Sequence, residues 1–210
     1  MVTLTFVSAS SPAYPDAVLL AMQVAIYEEV PNGRQTRHVA TFQGTPKELA
    51  ALSAPKPTFQ WIETTSWRCA DGNKAVTPAT VRAESWLAIA GGAHGLGFFP
   101  ASFSPEIGQA IAGVSHQVAK LGPALMGPAI PADSDQATVK VGARTYQNAV
   151  YVIAVNSGFS PVQATVKVPG LAGRTLEVLD EGRTVDSGDG AFVDSFAPLT
   201  THVYIAAPVG

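Results

Sequence analysis

The pattern of secondary-structure signals changes once along this chain, close to residue 130, and this change constrains the fold more than any other feature. On the N-terminal side, strand-like apolar segments alternate with helical ones. On the C-terminal side there are only short β-branched segments separated by Gly, Pro, Asn and Asp turns, which is typical of an antiparallel sandwich. Residues 128–135 are rich in Pro, Ala and Asp without a hydrophobic period, so we expect a linker there. The sequence therefore predicts an α/β domain over residues 1–127 and a β-sandwich domain over residues 136–210.

Two helices are clearly signalled in the first domain. Thr77-Pro78 begins one, because Thr is a common cap and Pro fits the first helical position; Gly91-Gly92 ends it, since glycine readily adopts the conformation of a C-terminal cap. Ser104-Pro105 begins the other, whose apolar residues recur at three- and four-residue steps and predict one stripe facing a core. This stripe consists of Ile107, Ile111, Val114, Val118, Leu121 and Leu125.

Strand signals are present in both domains. In the first domain they predict strands at residues 1–8, 58–64 and 95–99. Residues 16–27 fit either a helix or a helix end that continues into a buried strand, and Thr45-Pro46 predicts the start of a short helix. The second domain has six predicted strands, at residues 138–141, 150–155, 162–168, 175–179, 191–193 and 201–205.

Charge and residue usage exclude several classes of function. With 13 Lys+Arg against 16 Asp+Glu the net charge is −3 and no basic cluster exists, so we expect no nucleic-acid partner. The best apolar run, residues 17–26, is too short to span a membrane. Cys69 is the single cysteine and the four His are dispersed, so we predict no disulfide, no metal and no cofactor. Because the first basic residue is Arg34, we expect no secretory signal and a cytoplasmic chain, unless the natural N-terminus is missing.

Two stretches resemble parts of a known enzyme family. The strand before Glu63, the helix from Thr77 to Trp86 and the sequence Gly92-Ala93-His94-Gly95-Leu96-Gly97-Phe98-Phe99 resemble the last two β/α units of barrel-type glycoside hydrolases. The sequence Gly190-Ala191-Phe192-Val193-Asp194-Ser195-Phe196-Ala197-Pro198, with His202-Val203-Tyr204, is similar to the final strands of the β-sandwich that often follows such barrels. Together these stretches cover most of residues 58–206 and occur in the order found in the family.

The resemblance implies a set of site residues. Glu63 would be the catalytic nucleophile, or the general base of an inverting enzyme, because a carboxylate can attack or stabilise the anomeric carbon of an oxocarbenium-like transition state. Tyr27, ending a possible sixth strand, would hydrogen-bond this glutamate, and Glu29 is a candidate second carboxylate. Taken without the resemblance, both acids also fit solvated positions at a strand end or turn. Candidate substrate-binding residues are Trp61, Trp67, Arg68, Phe98 and Phe99.

The length of the first domain conflicts with a complete barrel. A (β/α)8 barrel takes roughly 250 residues, whereas residues 1–127 hold at most its last four units and lack the fourth strand, which carries the acid/base glutamate. Open strands in a half barrel leave unpaired backbone groups and an apolar face. We therefore expect a homo-oligomer, most simply a twofold dimer in which each chain completes the other's sheet. In that dimer the acid would come from Glu28, Glu29 or Asp71, because two copies of Glu63 would not have the usual acid/base spacing.

These features predict a glycoside hydrolase of reduced size that acts on a carbohydrate or glycoside substrate. One alternative is a non-catalytic protein, either a carbohydrate-binding module or a decayed barrel fragment. A further alternative is a promiscuous hydrolase of activated esters, whose turnover would survive Glu63→Gln.

Overall fold

The computed structural model of the 210-residue protein describes residues 2–8, 20–30, 34–43, 59–64, 76–99 and 103–208. In these residues the chain is mostly β-structure, with fourteen strands and two helices. The strands form four open sheets: a three-stranded and a two-stranded sheet in the N-terminal part, and a six-stranded and a three-stranded sheet in the C-terminal part.

The first sheet is antiparallel and contains β1 (Val2–Ser8), β2 (Leu20–Val30) and β3 (Arg34–Gln43) in chain order. Three residues separate β2 from β3, and a parallel connection would need about a dozen or more. The β/α alternation predicted for this part of the chain is therefore wrong for residues 2–43. Residues 20–30 form a strand, which settles the ambiguity of the 16–27 segment there. The short helix predicted at Thr45-Pro46 lies outside the described residues.

One β-α-β unit follows, as predicted from the sequence. β4 (Phe59–Glu63) and β5 (Gly95–Phe99) pair in parallel, and α1 (Pro78–Ala90) connects them. The Thr77 hydroxyl caps α1 by accepting a hydrogen bond from the Thr80 amide at 3.2 Å. The helix ends at Gly91, and Gly92 has a φ of 99°, a conformation that favours glycine.

The second helix, α2 (Pro105–Leu125), buries its predicted apolar stripe through Ile107, Val114 and Leu121. Ser104 caps it by accepting a hydrogen bond from the Ile107 amide at 3.4 Å. Pro123 lies inside the last turn, where it removes one backbone hydrogen bond and leaves the rest of the helix intact. Neither described helix combines the length and apolar character that a membrane-spanning segment requires.

The C-terminal part forms two antiparallel sheets with the strand orders β12-β11-β14-β9-β8-β6 and β13-β10-β7. Their strands are β6 (Ala129–Ile130), β7 (Asp133–Ser134), β8 (Val139–Tyr146), β9 (Ala149–Asn156), β10 (Val162–Lys167), β11 (Thr175–Val178), β12 (Arg183–Asp186), β13 (Ala191–Phe196) and β14 (Thr201–Ala206). The segment predicted to be a linker supplies β6 to one sheet and β7 to the other. Two-residue strands held by backbone hydrogen bonds need no hydrophobic period, so no sequence pattern indicates them.

Two cores lie on opposite faces of the six-stranded sheet. One fills the space between the two C-terminal sheets and includes Val152, Val166, Leu176 and Phe192. The other lies between the six-stranded sheet and both helices, and it includes Trp86 and Leu121 from the helices and Ile153 and Val203 from the sheet. The helices, the six-stranded sheet and the small sheet therefore form three successive layers.

A close backbone contact fixes α1 on this sheet. A Cβ atom at Gly142 of β8 would lie 2.4 Å from the carbonyl oxygen of Ala90 at the end of α1. The Arg144 guanidinium donates a hydrogen bond to the Ile89 carbonyl at 3.3 Å, and this carbonyl also accepts one from the Gly92 amide at 3.0 Å. Glycine at position 142 is thus required for the helix to reach the sheet.

Candidate functional site

Alternation along β4 divides its residues between two environments. Ile62 is fully buried and packs against Val81 and Ala88 of α1, so this face of the strand points to the helices. Trp61 and Glu63 are half-buried and belong to the opposite face. Glu63 is the last residue of β4, so it lies at the carboxyl end of the strand, the edge at which β/α barrels carry their chemistry.

The neighbouring strand explains how large side chains fit on this face. In the parallel register Trp61 pairs with Gly97, which has no side chain and leaves room beside the indole, and Glu63 pairs with Phe99. The Thr64 amide donates a hydrogen bond to the Phe99 carbonyl at 2.8 Å and holds the two strand ends together. Phe99 is 48% exposed. A carboxyl group and an accessible aromatic residue therefore occupy adjacent register positions at one edge of the β4–β5 sheet.

Partial burial changes the acidity of Glu63. Desolvation raises the pKa of its carboxyl group above the usual value, because the charged form loses contact with water. The protonated form of this carboxyl group is therefore more favoured than that of a fully exposed glutamate.

The other predicted site residues are placed less favourably or are not described. Phe98 packs with the helix-facing core on the side of Ile62, so its predicted role in sugar stacking does not fit. Tyr27 and Glu29 pair with Arg37 and Gln35 in the β1–β2–β3 sheet. Tyr27 therefore lies three residues before the end of its strand, Val30, and not at the end as expected. Trp67, Arg68 and Asp71 lie outside the described residues.

The C-terminal stretch that carried the resemblance forms a polar link between the two sheets. Asp194 of β13 accepts hydrogen bonds at 2.7 Å from the hydroxyl of Tyr204 in β14 and from the guanidinium of Arg183 in β12. The ring centroids of Tyr204 and Phe192 are 4.6 Å apart, and those of His202 and Phe196 are 5.0 Å apart. These residues therefore hold the two sheets together, a role that the sequence analysis did not assign.

The pKa directions agree with this hydrogen bonding. Burial raises the pKa of Asp194, but the hydrogen bonds from Arg183 and Tyr204 outweigh it, and the pKa lies below its usual value. Burial and the bond to Asp194 both raise the pKa of Tyr204, and the bond to Asp194 raises the pKa of Arg183. The ionised aspartate and the protonated tyrosine stabilise each other.

A second polar link joins the hairpin between β11 and β12 to helix α2. Asp180, which has a φ of 61°, accepts hydrogen bonds from Lys120 at 2.7 Å and from Gln117 at 3.0 Å. The hydrogen bond from Lys120 is the main cause of the lowered pKa of Asp180. Next to it, Glu181 contacts His202 Nδ1 at 2.5 Å. The polar residues of this hairpin are therefore satisfied by their own neighbours.

No family model matches the chain, and no curated protein is similar to it in sequence. Solved structures of glycoside hydrolases are similar to it in fold. An α-amylase from Geobacillus thermoleovorans, complexed with acarbose, has a TM-score of 0.55 and 13% identity, and the match covers 73% of this chain and 40% of that one. An Anoxybacillus α-amylase has a TM-score of 0.46 and 17% identity, covering 63% of this chain and 33% of that one. A glycoside hydrolase family 30 xylanase from Clostridium acetobutylicum has a TM-score of 0.43 and 16% identity, covering 73% and 46%.

The chain spans less than half the length of each of these three enzymes. At such low identity the similarity shows a shared fold alone. Of the three, the Geobacillus α-amylase alone has a TM-score above 0.5, so the fold similarity rests on that enzyme.

Proposed function

We propose that this chain contains the last β/α units of a barrel-type glycoside hydrolase together with its β-sandwich domain, and that it acts on a carbohydrate. The observation that carries the proposal is Glu63, a half-buried carboxyl group with a raised pKa at the carboxyl end of β4. The fold similarity to an α-amylase supports the same class of enzyme. Within residues 1–127 the barrel part would be the β4–α1–β5 unit with α2, and residues 136–210 would be the sandwich.

In this proposal Glu63 is one of the two carboxyl groups that glycoside hydrolysis requires. We assign it the role that the family resemblance implies, the nucleophile or the general base of an inverting enzyme. Trp61 would contact the sugar because it lies on the same face of β4 as Glu63, and Phe99 would do so because it pairs with Glu63 in the register. Tyr27, Glu29, Trp67 and Arg68 remain candidates on grounds of sequence alone.

The second carboxyl group would come from chain that completes the barrel. A retaining enzyme needs it about 5–5.5 Å from Glu63, and an inverting enzyme about 6.5–9.5 Å. We propose that a second copy of this chain supplies it and that the active form is a homodimer whose open sheets pair. Size-exclusion chromatography with light scattering tests this assembly, and a stable monomer with full activity would refute it.

Glu63→Gln tests the chemistry directly, because the amide keeps the shape of the side chain and cannot transfer a proton. Against a panel of 4-nitrophenyl α- and β-glycosides and maltooligosaccharides, we expect kcat to fall by about 100-fold or more. Glu177→Gln is the matched control, since Glu177 is an exposed glutamate of β11 far along the chain from β4. Unchanged turnover in Glu63→Gln would remove Glu63 from the mechanism and would favour a hydrolase of activated esters.

A non-catalytic carbohydrate-binding protein is the second candidate. It is supported by Phe99, a 48% exposed aromatic residue at the register position of Glu63, because an aromatic side chain can bind a sugar without any catalytic group. Isothermal titration with the same oligosaccharides separates the two functions, because a binding protein shows affinity for sugar without turnover of any substrate in the panel.

A further inference from the structure

Residues 187–190 carry the chain from β12 of the six-stranded sheet to β13 of the small sheet, and they contain the dipeptide Asp189-Gly190. Asp189 is exposed, and its carboxyl group makes no hydrogen bond or ion pair with any described residue. Gly190 has a φ of 86°, in the region that favours glycine. Its carbonyl oxygen accepts a hydrogen bond from the Val168 amide at 3.0 Å, whereas its own amide donates none within the described part of the chain. A free carboxyl group therefore lies next to a free amide nitrogen, and no side chain on Gly190 separates them.

The other aspartates of the described residues are placed differently. There are five of them, and in each case the amide of the following residue donates a hydrogen bond. These amides belong to Ser134, Gln136, Glu181, Ser187 and Ser195. An amide nitrogen must give up its proton before it can act as a nucleophile, so a hydrogen bond that has to break first protects it. Asp189 is therefore the described aspartate with the least protection against attack by its own backbone.

We propose that Asp189 is a site of spontaneous isomerisation to isoaspartate. The Gly190 nitrogen attacks Cγ of the protonated Asp189 carboxyl group, so that an N–Cγ bond forms and the Cγ–OH bond breaks. The hydroxyl group and the amide proton leave together as one water molecule, and the product is a cyclic succinimide. Solvent water then adds to one of the two ring carbonyls and breaks its bond to nitrogen.

The carbonyl that is attacked decides the product. Addition at Cγ restores aspartate. Addition at the main-chain carbonyl leaves the chain running through Cβ and Cγ of Asp189, with the former main-chain carbonyl as a free carboxylate. One water molecule is lost and one is gained, so the mass is unchanged and no oxidant or cofactor takes part.

The modification would lengthen the main chain of this turn by one methylene group. The turn is held by a hydrogen bond from the Gly188 amide to the Ala191 carbonyl at 3.0 Å, which spans the modified residue. The strands on either side carry Arg183 and Asp194, which form an ion pair at 2.7 Å. Isomerisation therefore changes the connection between the two strands that supply this ion pair, and we expect it to lower the stability of the stored protein.

Peptide mapping of the folded and the unfolded chain tests the site. The full chain is stored for several weeks at neutral pH, in buffer alone and in concentrated guanidinium chloride, and is then digested with trypsin. No Lys or Arg follows Arg183, so a single peptide, residues 184–210, contains Asp186, Asp189 and Asp194. Electron-transfer fragmentation in a mass spectrometer locates isoaspartate at each of them. Comparing the two conditions at one residue removes the intrinsic effect of the residue that follows it.

Folding should act differently on the three aspartates. It should slow isomerisation at Asp186 and Asp194 by about tenfold or more, because the amides that follow them are hydrogen-bonded. At Asp189 it should change the rate by less than about threefold, because no such bond has to open.

Two variants of the same turn serve as controls. Asp189→Glu keeps the charge but would have to close a larger ring, so we expect no isomerisation at this residue. Gly188→Ala keeps the Asp189-Gly190 dipeptide, and its Cβ atom would have no neighbour within 4 Å, so the yield at Asp189 should equal that of the parent. After the same storage, the urea midpoint of the parent should fall below that of Asp189→Glu in proportion to its content of isoaspartate.

The outcomes are independent of the proposed hydrolase function. Slowing of isomerisation at Asp189 by about tenfold or more on folding, or its absence from the folded chain while the unfolded chain reacts, would overturn the proposal. Isoaspartate at Asp189 in the folded chain with an unchanged urea midpoint would confirm the site and refute its effect on stability.

Discussion

Substitution of Tyr204 by Phe isolates the hydrogen bond that links the two C-terminal sheets. Tyr204 is fully buried, and Phe keeps its ring against Phe192, so the change removes a hydroxyl group and little else. The lost contact is the 2.7 Å hydrogen bond to the ionised Asp194. A hydrogen bond to a charged group contributes about 1.5–3 kcal/mol. Asp194 keeps its bond from Arg183, so we expect a loss near 2 kcal/mol, or roughly 4–8 °C in Tm for a chain of this size.

Urea denaturation followed by circular dichroism measures this loss at pH 7. Tyr151→Phe is the matched control, because Tyr151 is half-buried in β9 and its hydroxyl has no hydrogen-bond partner among the described residues. We expect the control to change the free energy of unfolding by less than about 0.5 kcal/mol. A Tyr204→Phe variant as stable as this control would refute the view that the Asp194 link stabilises the fold.

The same substitution has a signature at high pH. The pKa of Tyr204 is raised in the folded protein above its ordinary value of 10.0. The stabilisation is therefore complete below pH 10 and is lost as the pH rises further, because the unfolded chain releases the proton first. This one group contributes a slope of up to about 1.4 kcal/mol per pH unit. The Tyr204→Phe variant should lose less stability between pH 10 and 11 than the parent, and parallel profiles would contradict the linkage.

Three further predictions follow from the described contacts. Asp194→Asn should reduce the loss of stability in acid. Because the pKa of Asp194 is lowered, its contribution to the free energy of unfolding is present above pH 3.8 and is lost as the pH falls below that value. Measuring the urea midpoint as a function of pH in the acid range tests this expectation. Gly142→Ala should destabilise the fold by about 1–3 kcal/mol, because its Cβ atom would overlap the end of α1. Gly113→Ala, in an open part of α2, should stabilise the fold by up to about 1 kcal/mol. Equal urea midpoints for the two variants would contradict both expectations. Glu63→Gln should be at least as stable as the parent at pH 7, since the raised pKa of Glu63 shows that its charged form is disfavoured in the folded state, and a lower Tm would contradict that view.

Both helices and most C-terminal strands could be predicted from the sequence because their signals are local. The Thr77 and Ser104 caps and the apolar stripe of α2 each specify a helix without reference to the rest of the chain. The topology of β1–β3 could not be predicted in this way, since a run of apolar residues such as 17–26 fits a helix and a strand equally. Strand β12 (Arg183–Asp186) was also missed, because its four residues alternate half-buried and exposed and form a sheet edge with little apolar content.

The geometry of the candidate site could be predicted only where it follows from the alternation of side chains along a strand. Alternation places Trp61 and Glu63 on one face of β4, and the structure agrees. The same alternation along β5 places Phe98 and Phe99 on opposite faces and so excludes Phe98 from the site. The role of Asp194 had a signal that was not used: Phe192, Asp194 and Phe196 alternate, so a carboxyl group falls on the buried face of β13 beside two aromatic residues. Its partners, Arg183 and Tyr204, come from separate strands, and only the folded sheets bring them together.

The core shared by α1, α2 and the six-stranded sheet determines where this chain can be cut or exchanged. A truncation that begins at residue 136 would remove both helices and expose Ile153, Val155 and Val203, which lie beneath them. The sheets would then carry an uncovered apolar face. In the complementary N-terminal fragment, the β4–β5 unit would lose the surface on which its connecting helix rests. The C-terminal sheets therefore serve as the scaffold for the β4–α1–β5 unit. A recombination event that replaced them would have to preserve Gly142 and this apolar face in order to keep Glu63 at its sheet edge.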